Sequence, residues 1–254
     1  MVKTFNKDKL TVKACETRAE MGECAALDIR AKIKELLSVK PEINMIFAAA
    51  PSQNDVLSSL LTFEDIEWGR INAYHMDEYI GLRGEDLSAS FGTYLNDHIF
   101  GKAPFKSINL INATATDPDA ECKRYSEILN ANPTDIVVMG IGENGHIAFN
   151  DPPVADFSDK YVVKPVELDE ICRNQQVNDG CFPSIDRVPK MAITLTCPTL
   201  FRADNLFCIV PAPTKANAVY HTLNDEISEA CPATVLRRHE SAILYLDSDS
   251  SRLL

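Results

Sequence analysis

Short segments that are apolar along their whole length recur through this chain, each separated from the next by residues with helical spacing. This alternation restricts the fold more than any other feature. "INMIFAAA" (Ile43 to Ala50) ends at Pro51 and precedes the helical-looking "NDVLSSLLTF"; "RINAYHM" precedes a helix expected from about Ser88 to His98. "SINLI" precedes a helix from Asp117 to Leu129, and "DIVVMG" follows it. Farther on come "MAITLT", "NLFCIV", a helix beginning near Pro213, and "SAILYLD". A first helix is predicted from about Glu16 to Val39, where Met21, Ala25, Ile29, Ile33, Leu36 and Leu37 recur at helical spacing and Pro41 stops it. A strand that is apolar throughout is buried on both faces, so these segments predict an α/β fold with a mostly parallel sheet and helices on both faces. In such sheets ligands bind beyond the carboxyl ends of the strands. "AAAPSQ", "HMDEY", "GIGENGH" and "VPAPTK" are therefore expected to converge on one cleft.

The 254 residues, 45% of them apolar and 24% charged, supply enough core for one α/β domain spanning 1–254, without repeats or an obvious linker. A net charge of -12 with no run of lysines and arginines argues against nucleic acid or an anionic membrane as partner. A small anionic ligand is still allowed, because screening acts over roughly 8 Å and local residues decide. The eight cysteines are scattered, with no C-x-x-C and no zinc-like pairing with histidine, so no metal site is predicted. No segment approaches the ~18 apolar residues of a membrane span, and the N-terminus lacks the apolar core of a signal peptide. A reduced, cytoplasmic protein is the expectation; assembly into a homo-oligomer stays open.

"DIVVMGIGENGHIAFNDPP" (Asp135 to Pro153) contains Gly140, Gly142 and Gly145 in a G-x-G-x-x-G pattern. A dinucleotide fingerprint needs a helix to start at the third glycine, and Pro152-Pro153 forbid one of useful length. The glycines are better read as a tight turn that lets backbone approach a ligand and presents His146 at a strand end; a purely structural turn is the competing reading. In "HMDEYIGL" two adjacent carboxylates, Asp77 and Glu78, emerge from an apolar strand. On a strand they point to opposite faces, so one of them addresses the cleft; the alternative is that both cap the next helix.

Together "MDEYIGL" and "GIGENGHIAFNDP" closely resemble the paired signatures of the glucosamine-6-phosphate deaminase (isomerase) family, and the likeness extends to "VPKMAITL" and "APTKA". The related 6-phosphogluconolactonases share a glycine-histidine loop but typically carry Asp-Glu-Arg where this chain has Asp77-Glu78-Tyr79. The resemblance implies a Rossmann-like sheet and conversion of a hexosamine 6-phosphate to a ketose 6-phosphate plus ammonia, without a cofactor. It assigns ring opening to His146, proton abstraction at C2 to Asp77, and support of the site to Glu78. The phosphate would be held by the first loop, where only Ser52 matches the family's usual pattern, and by Lys215, with Arg173 in "CRNQQVNDGCF" as the candidate arginine; Gly142 and Gly145 would bring backbone close to the sugar phosphate. Two positions depart from the family: its usual Asp two residues before the histidine is Asn144, and its usual Glu five residues after it is Asp151. Such acids orient the imidazole, and Asn144 keeps the hydrogen-bonding shape without the charge. Hydrolysis of a sugar-phosphate lactone and non-catalytic binding of a sugar phosphate are the alternatives. His75 flanks the carboxylate pair but is expected to point away from Asp77, and His98, His221 and His239 are assigned no role.

Overall fold

The computed structural model describes residues 2–178 and 180–254. Its strands are β1 (Lys3–Lys7), β2 (Leu10–Ala14), β3 (Ile43–Phe47), β4 (Ile71–His75), β5 (Asp77–Tyr79), β6 (Ser107–Asn109), β7 (Ile136–Met139), β8 (Val163–Glu167), β9 (Met191–Leu195), β10 (Asn205–Val210) and β11 (Ala242–Leu246). Its helices are α1 (Arg18–Leu37), α2 (Asn54–Leu60), α3 (Phe91–Leu95), α4 (Pro118–Ala131), α5 (Glu170–Asn178), α6 (Cys197–Phe201) and α7 (Ala216–Asn224).

Eight strands form one sheet in the order β1-β2-β11-β10-β7-β3-β4-β6, parallel throughout except for the β1–β2 hairpin at the edge. Successive side chains of each central strand enter different layers. Met45, Phe47, Ile136 and Val138 pack with Met21, Ala25, Ile29 and Ile33 of α1, while Ile46, Val137 and Met139 pack with Tyr125 and Leu129 of α4 and Val219 and Leu223 of α7. The fold is thus a Rossmann-like α/β layer with both sheet faces covered. Each fully buried Leu, Ile or Val contributes about 1.5–3 kcal/mol relative to an exposed one, so the strands are held from both sides.

Local chemistry sets where helices begin. The Thr17 hydroxyl accepts the Glu20 N–H at 3.1 Å ahead of α1, and the Asp117 carboxylate accepts the Ala120 N–H at 3.0 Å ahead of α4, whose first residue Pro118 has no N–H to satisfy. The helix expected from about Ser88 to His98 is shorter: α3 follows a 3-10 stretch over Gly84–Ala89 and runs into a π-helical turn over Asn96–Phe100.

"MAITLT" is placed differently from the sequence expectation. As β9 it is the middle strand of a separate three-stranded antiparallel sheet, β5-β9-β8. This small sheet carries Asp77 and packs beside the carboxyl ends of the large one. Strand order reverses between β3 and β7: the chain moves outward from β3 through β4 to β6, and the other way from β7 through β10 to β11. Such a reversal opens a crevice at the strand ends.

Candidate active site

The crevice is a cleft that encloses about 700 Å3 with its open mouth included. Ala48 to Gln53 line it after β3, Met76 and Asp77 after β4, Gly140, Ile141, Gly142 and His146 after β7, and Lys215 after β10. The four segments singled out in the sequence therefore share one cavity. Gln175 and Gln176 from α5, with Phe91 and Phe149, complete its wall.

The loop after β7 is a tight turn: the Gly142 N–H donates to the His146 carbonyl at 2.9 Å, and the Gly145 N–H donates to the Gly142 carbonyl at 3.1 Å. A Cβ at Gly142 would overlap Cε1, Nδ1 and Nε2 of His146, so the absence of a side chain there makes room for the imidazole. Gly145 has φ +81°, and a Cβ on it would lie 2.5 Å from Cys231 Sγ. The Asn150 amide donates to the carbonyls of Ile147 and Leu195, both at 2.8 Å, and ties the loop to β9.

His146 Nδ1 lies 2.8 Å from Asn144 Oδ1 and 3.0 Å from Asp151 Oδ1, while Asn144 Nδ2 donates to Asp151 Oδ1 at 2.9 Å. Both oxygens facing Nδ1 are acceptors, which assigns the ring proton to Nδ1 and leaves Nε2 for a ligand. Asn144 also accepts the His146 backbone N–H at 3.0 Å. The charge lacking at position 144 reaches the ring from Asp151, whose short side chain touches Nδ1 directly. Burial works to raise the Asp151 carboxyl, but the hydrogen bonds from His146, Asn144 and the Cys172 thiol outweigh it and hold the group below the usual carboxylate range.

Asp77 and Glu78 diverge as neighbours on a strand must. Asp77 opens onto the cleft. Glu78 turns the other way and accepts the N–H groups of Phe91 (3.1 Å), Gly92 (2.9 Å) and Tyr79 (2.9 Å), locking β5 to the start of α3. Burial, reinforced by the neighbouring Glu78, pushes the Asp77 carboxyl well above its ordinary range. Burial also pushes Glu78 up to about 7, against the pull of its three N–H donors. A carboxylate with raised proton affinity facing a cleft is suited to taking a proton near neutral pH.

After β10 Ala212 adopts φ +85°, a conformation that costs about 1–3 kcal/mol outside glycine, and its N–H donates to the Asp247 carboxylate at 3.0 and 3.3 Å. The turn Pro213–Lys215 that follows brings Lys215 into the cleft, where it is buried. Ser52, on the first loop, lines the same cleft. Arg173 does not line the cleft. Its Nη2 donates to the carbonyls of Ile185 (2.6 Å) and Val188 (3.1 Å), which ties that nitrogen to a loop, while its buried Nε has no hydrogen-bond partner among the described residues. Two glutamines of the same segment face the cavity instead and were not singled out in the sequence. The Tyr79 hydroxyl donates to Gln176 Oε1 at 2.6 Å, and the Glu143 N–H donates to Gln175 Oε1 at 3.2 Å. Their signal was their helical position beside Arg173, whose register in "CRNQQVNDGCF" only the fold resolves. His75 faces away, its Nε2 accepting the Ile111 N–H at 2.7 Å, and burial depresses it to about 3. His98, His221 and His239 lie outside the cleft, and none of the eight cysteines is disulfide-bonded.

The chain is similar to known proteins in sequence and in fold. The family model described as glucosamine-6-phosphate isomerases/6-phosphogluconolactonase matches residues 16–166. The chain is 34% identical over 244 residues to a Bacillus cereus glucosamine-6-phosphate deaminase, covering 96% of this chain and 88% of that one. It is 34% identical over 213 residues to a Listeria monocytogenes glucosamine-6-phosphate deaminase, covering 84% and 88%. Among solved structures, a monomeric glucosamine-6-phosphate deaminase superposes with TM-score 0.85 at 32% identity, over 96% of this chain and 99% of that one. A Thermotoga maritima 6-phosphogluconolactonase shares the fold, with TM-score 0.74 at 20% identity over 94% and 99%. By sequence match, fold and the residues gathered at the strand ends, the chain belongs to the glucosamine-6-phosphate isomerase/6-phosphogluconolactonase family.

Proposed function

We propose that the protein is a glucosamine-6-phosphate deaminase, converting glucosamine 6-phosphate and water to fructose 6-phosphate and ammonia. The observation that carries this reading is the pairing of two proton-handling groups on one cleft: His146, held at Nδ1 so that Nε2 is left for the ligand, and Asp77, with its raised proton affinity. Relatives bearing that activity in their names at 34% identity support the choice of substrate.

In the proposed sequence His146 Nε2 takes the proton from the anomeric O1 hydroxyl and returns one to the ring oxygen O5, opening the pyranose to an aldehyde. Asp77 then removes the C2 proton, producing an enolamine between C1 and C2. Asp77 returns its proton to C1, and the double bond moves to C2–N. Water adds to the resulting iminium, the C2–N bond breaks, and ammonia leaves with the ketose. Asp151 and Asn144 keep the imidazole oriented. Lys215 and Ser52 hold the phosphate, with Lys215 the cation. Placement in the cytoplasm belongs to the same proposal and rests on cysteines that form no disulfide among the described residues, as suits a reducing compartment.

A coupled ammonia assay over glucosamine 6-phosphate, galactosamine 6-phosphate and 6-phosphogluconolactone tests it. Ammonia is expected from the glucosamine ester; lactone hydrolysis with no ammonia from either amino sugar would overturn the proposal.

A further inference from the structure

Ser52 Oγ receives a hydrogen bond from Gln53 Nε2 at 2.9 Å, and the same nitrogen donates to the Ile209 carbonyl at 3.2 Å. A backbone carbonyl can only accept, so Ile209 fixes which end of the Gln53 amide faces it: the flipped amide would set oxygen against oxygen. The side chain is wholly buried. Gly140 closes the cluster, since a Cβ there would lie 3.0 Å from Gln53 Nε2, 3.2 Å from the Ile209 oxygen and 3.3 Å from Ser52 Oγ. Gln53 thus links the ends of β7 and β10 to the first loop, and all its donor capacity points at Ser52 and Ile209. Its Oε1 is buried, and no group among the described residues donates to it.

A serine hydroxyl has one proton and two lone pairs. With a lone pair of Oγ occupied by the Gln53 amide, the Ser52 proton is released for a different acceptor. The acceptor that the cleft would supply, if it is the phosphosugar site proposed above, is an ionised phosphate, which offers oxygens and almost no protons. We infer that Gln53 is a positioning residue that makes Ser52 a one-way hydrogen-bond donor to the phosphate of the ligand. The inference rests on that reading of the cleft. It also gives this site a second oriented donor beside Lys215, where Arg173 Nη2 serves Ile185 and Val188 instead.

The test is a double-mutant cycle on Ser52→Ala and Gln53→Met, read by calorimetric titration with inorganic phosphate and by KM and kcat for glucosamine 6-phosphate. Each single variant is expected to weaken phosphate binding about tenfold, the worth of one charge-assisted hydrogen bond, and to raise KM similarly while kcat stays within about twofold. In the double variant the loss stays near tenfold, because the second change removes an effect that runs through the same hydroxyl. Losses that multiply to about a hundredfold would overturn the inference, since Gln53 would then act independently of Ser52. Gln53→Glu serves if Gln53→Met does not fold: in the Ser52→Ala background its charge repulsion remains and the reversal of the serine disappears, so the cycle separates the two. A wild-type protein that binds neither phosphate nor the sugar phosphate would sink the phosphosugar reading itself, and this inference with it.

Discussion

Gly142→Ala is the smallest change that should separate the geometry of the His146 loop from its chemistry. The new Cβ would occupy the place of three imidazole ring atoms. Carbon atoms in contact settle near 3.5–4.0 Å, so the ring must move by more than about 1 Å, or the turn must open. Either movement breaks the contact of Nδ1 with Asn144 Oδ1 and Asp151 Oδ1, now 2.8 and 3.0 Å. A 1 Å misplacement of a reacting group can cost about 10²-fold, and a general acid/base as a whole contributes about 10²–10⁴-fold. We therefore expect kcat to fall by at least ~10²-fold, with KM changed little because the phosphate end is untouched. Freeing the buried Asp151 carboxylate from its ring contact also costs roughly 1–3 kcal/mol, a fall in Tm of several degrees. Gly145→Ala is the control. Its strain falls on Cys231 and on a backbone at φ +81°, away from the ring, so stability should drop more than turnover. Steady-state ammonia release and thermal melts of the two variants decide it. Gly142→Ala with kcat within about threefold of wild type would show that His146 need not sit where the loop puts it.

Four further outcomes follow from the geometry. Asp77→Asn should lower kcat by about 10²–10⁴-fold with nearly unchanged binding of a substrate analogue. It should also melt higher than wild type at pH 7.5: a carboxyl raised in the fold contributes stability that is full below its unfolded value near 4 and is lost as pH rises through the folded value, so melts at pH 4 should converge. Lys215→Ala should raise KM about tenfold to a hundredfold with a small change in kcat, measured on glucosamine 6-phosphate; an unchanged KM would remove it from the phosphate site. Asn144→Asp sets a second carboxylate against Asp151, where an amide now donates at 2.9 Å, and should move the acid limb of kcat/KM to higher pH; superimposable profiles would show that position 144 is not coupled to the ring. Arg173→Ala should lower Tm and leave KM for the phosphorylated sugar within about twofold, since its guanidinium serves Ile185 and Val188; a KM raised tenfold would return it to the phosphate.

The central strands were legible because burial on both faces leaves an unbroken apolar run, as in "IVVM" of β7 and "NLFCIV" of β10. The N-terminal hairpin was not, because β1 and β2 lie toward an edge where only Leu10 and Val12 are buried and the exposed positions of β1 are the polar Lys3, Thr4 and Asn6. β8 was hidden by Pro165 and by its edge position, and β9 misled because its run "MAITL" reads the same in a small antiparallel sheet as in a parallel one. In the cleft, adjacency on a strand told that Asp77 and Glu78 must part, since that follows from period two. It could not tell that Asp151 reaches His146 Nδ1, because that contact depends on how the turn folds back after Asn150. Gln53 drew no notice in sequence for the same reason: its partner Ile209 is 156 residues away.

The measurement that bears most directly on the account is ammonia release from glucosamine 6-phosphate by wild-type protein and by Asp77→Asn, followed together with ketose 6-phosphate. The account predicts equal amounts of ammonia and fructose 6-phosphate from the wild type, and a rate at least ~10²-fold lower from the variant. Asp77→Asn retaining more than about a tenth of the wild-type kcat would contradict it, because the C2 proton would then leave without the carboxylate that the cleft presents.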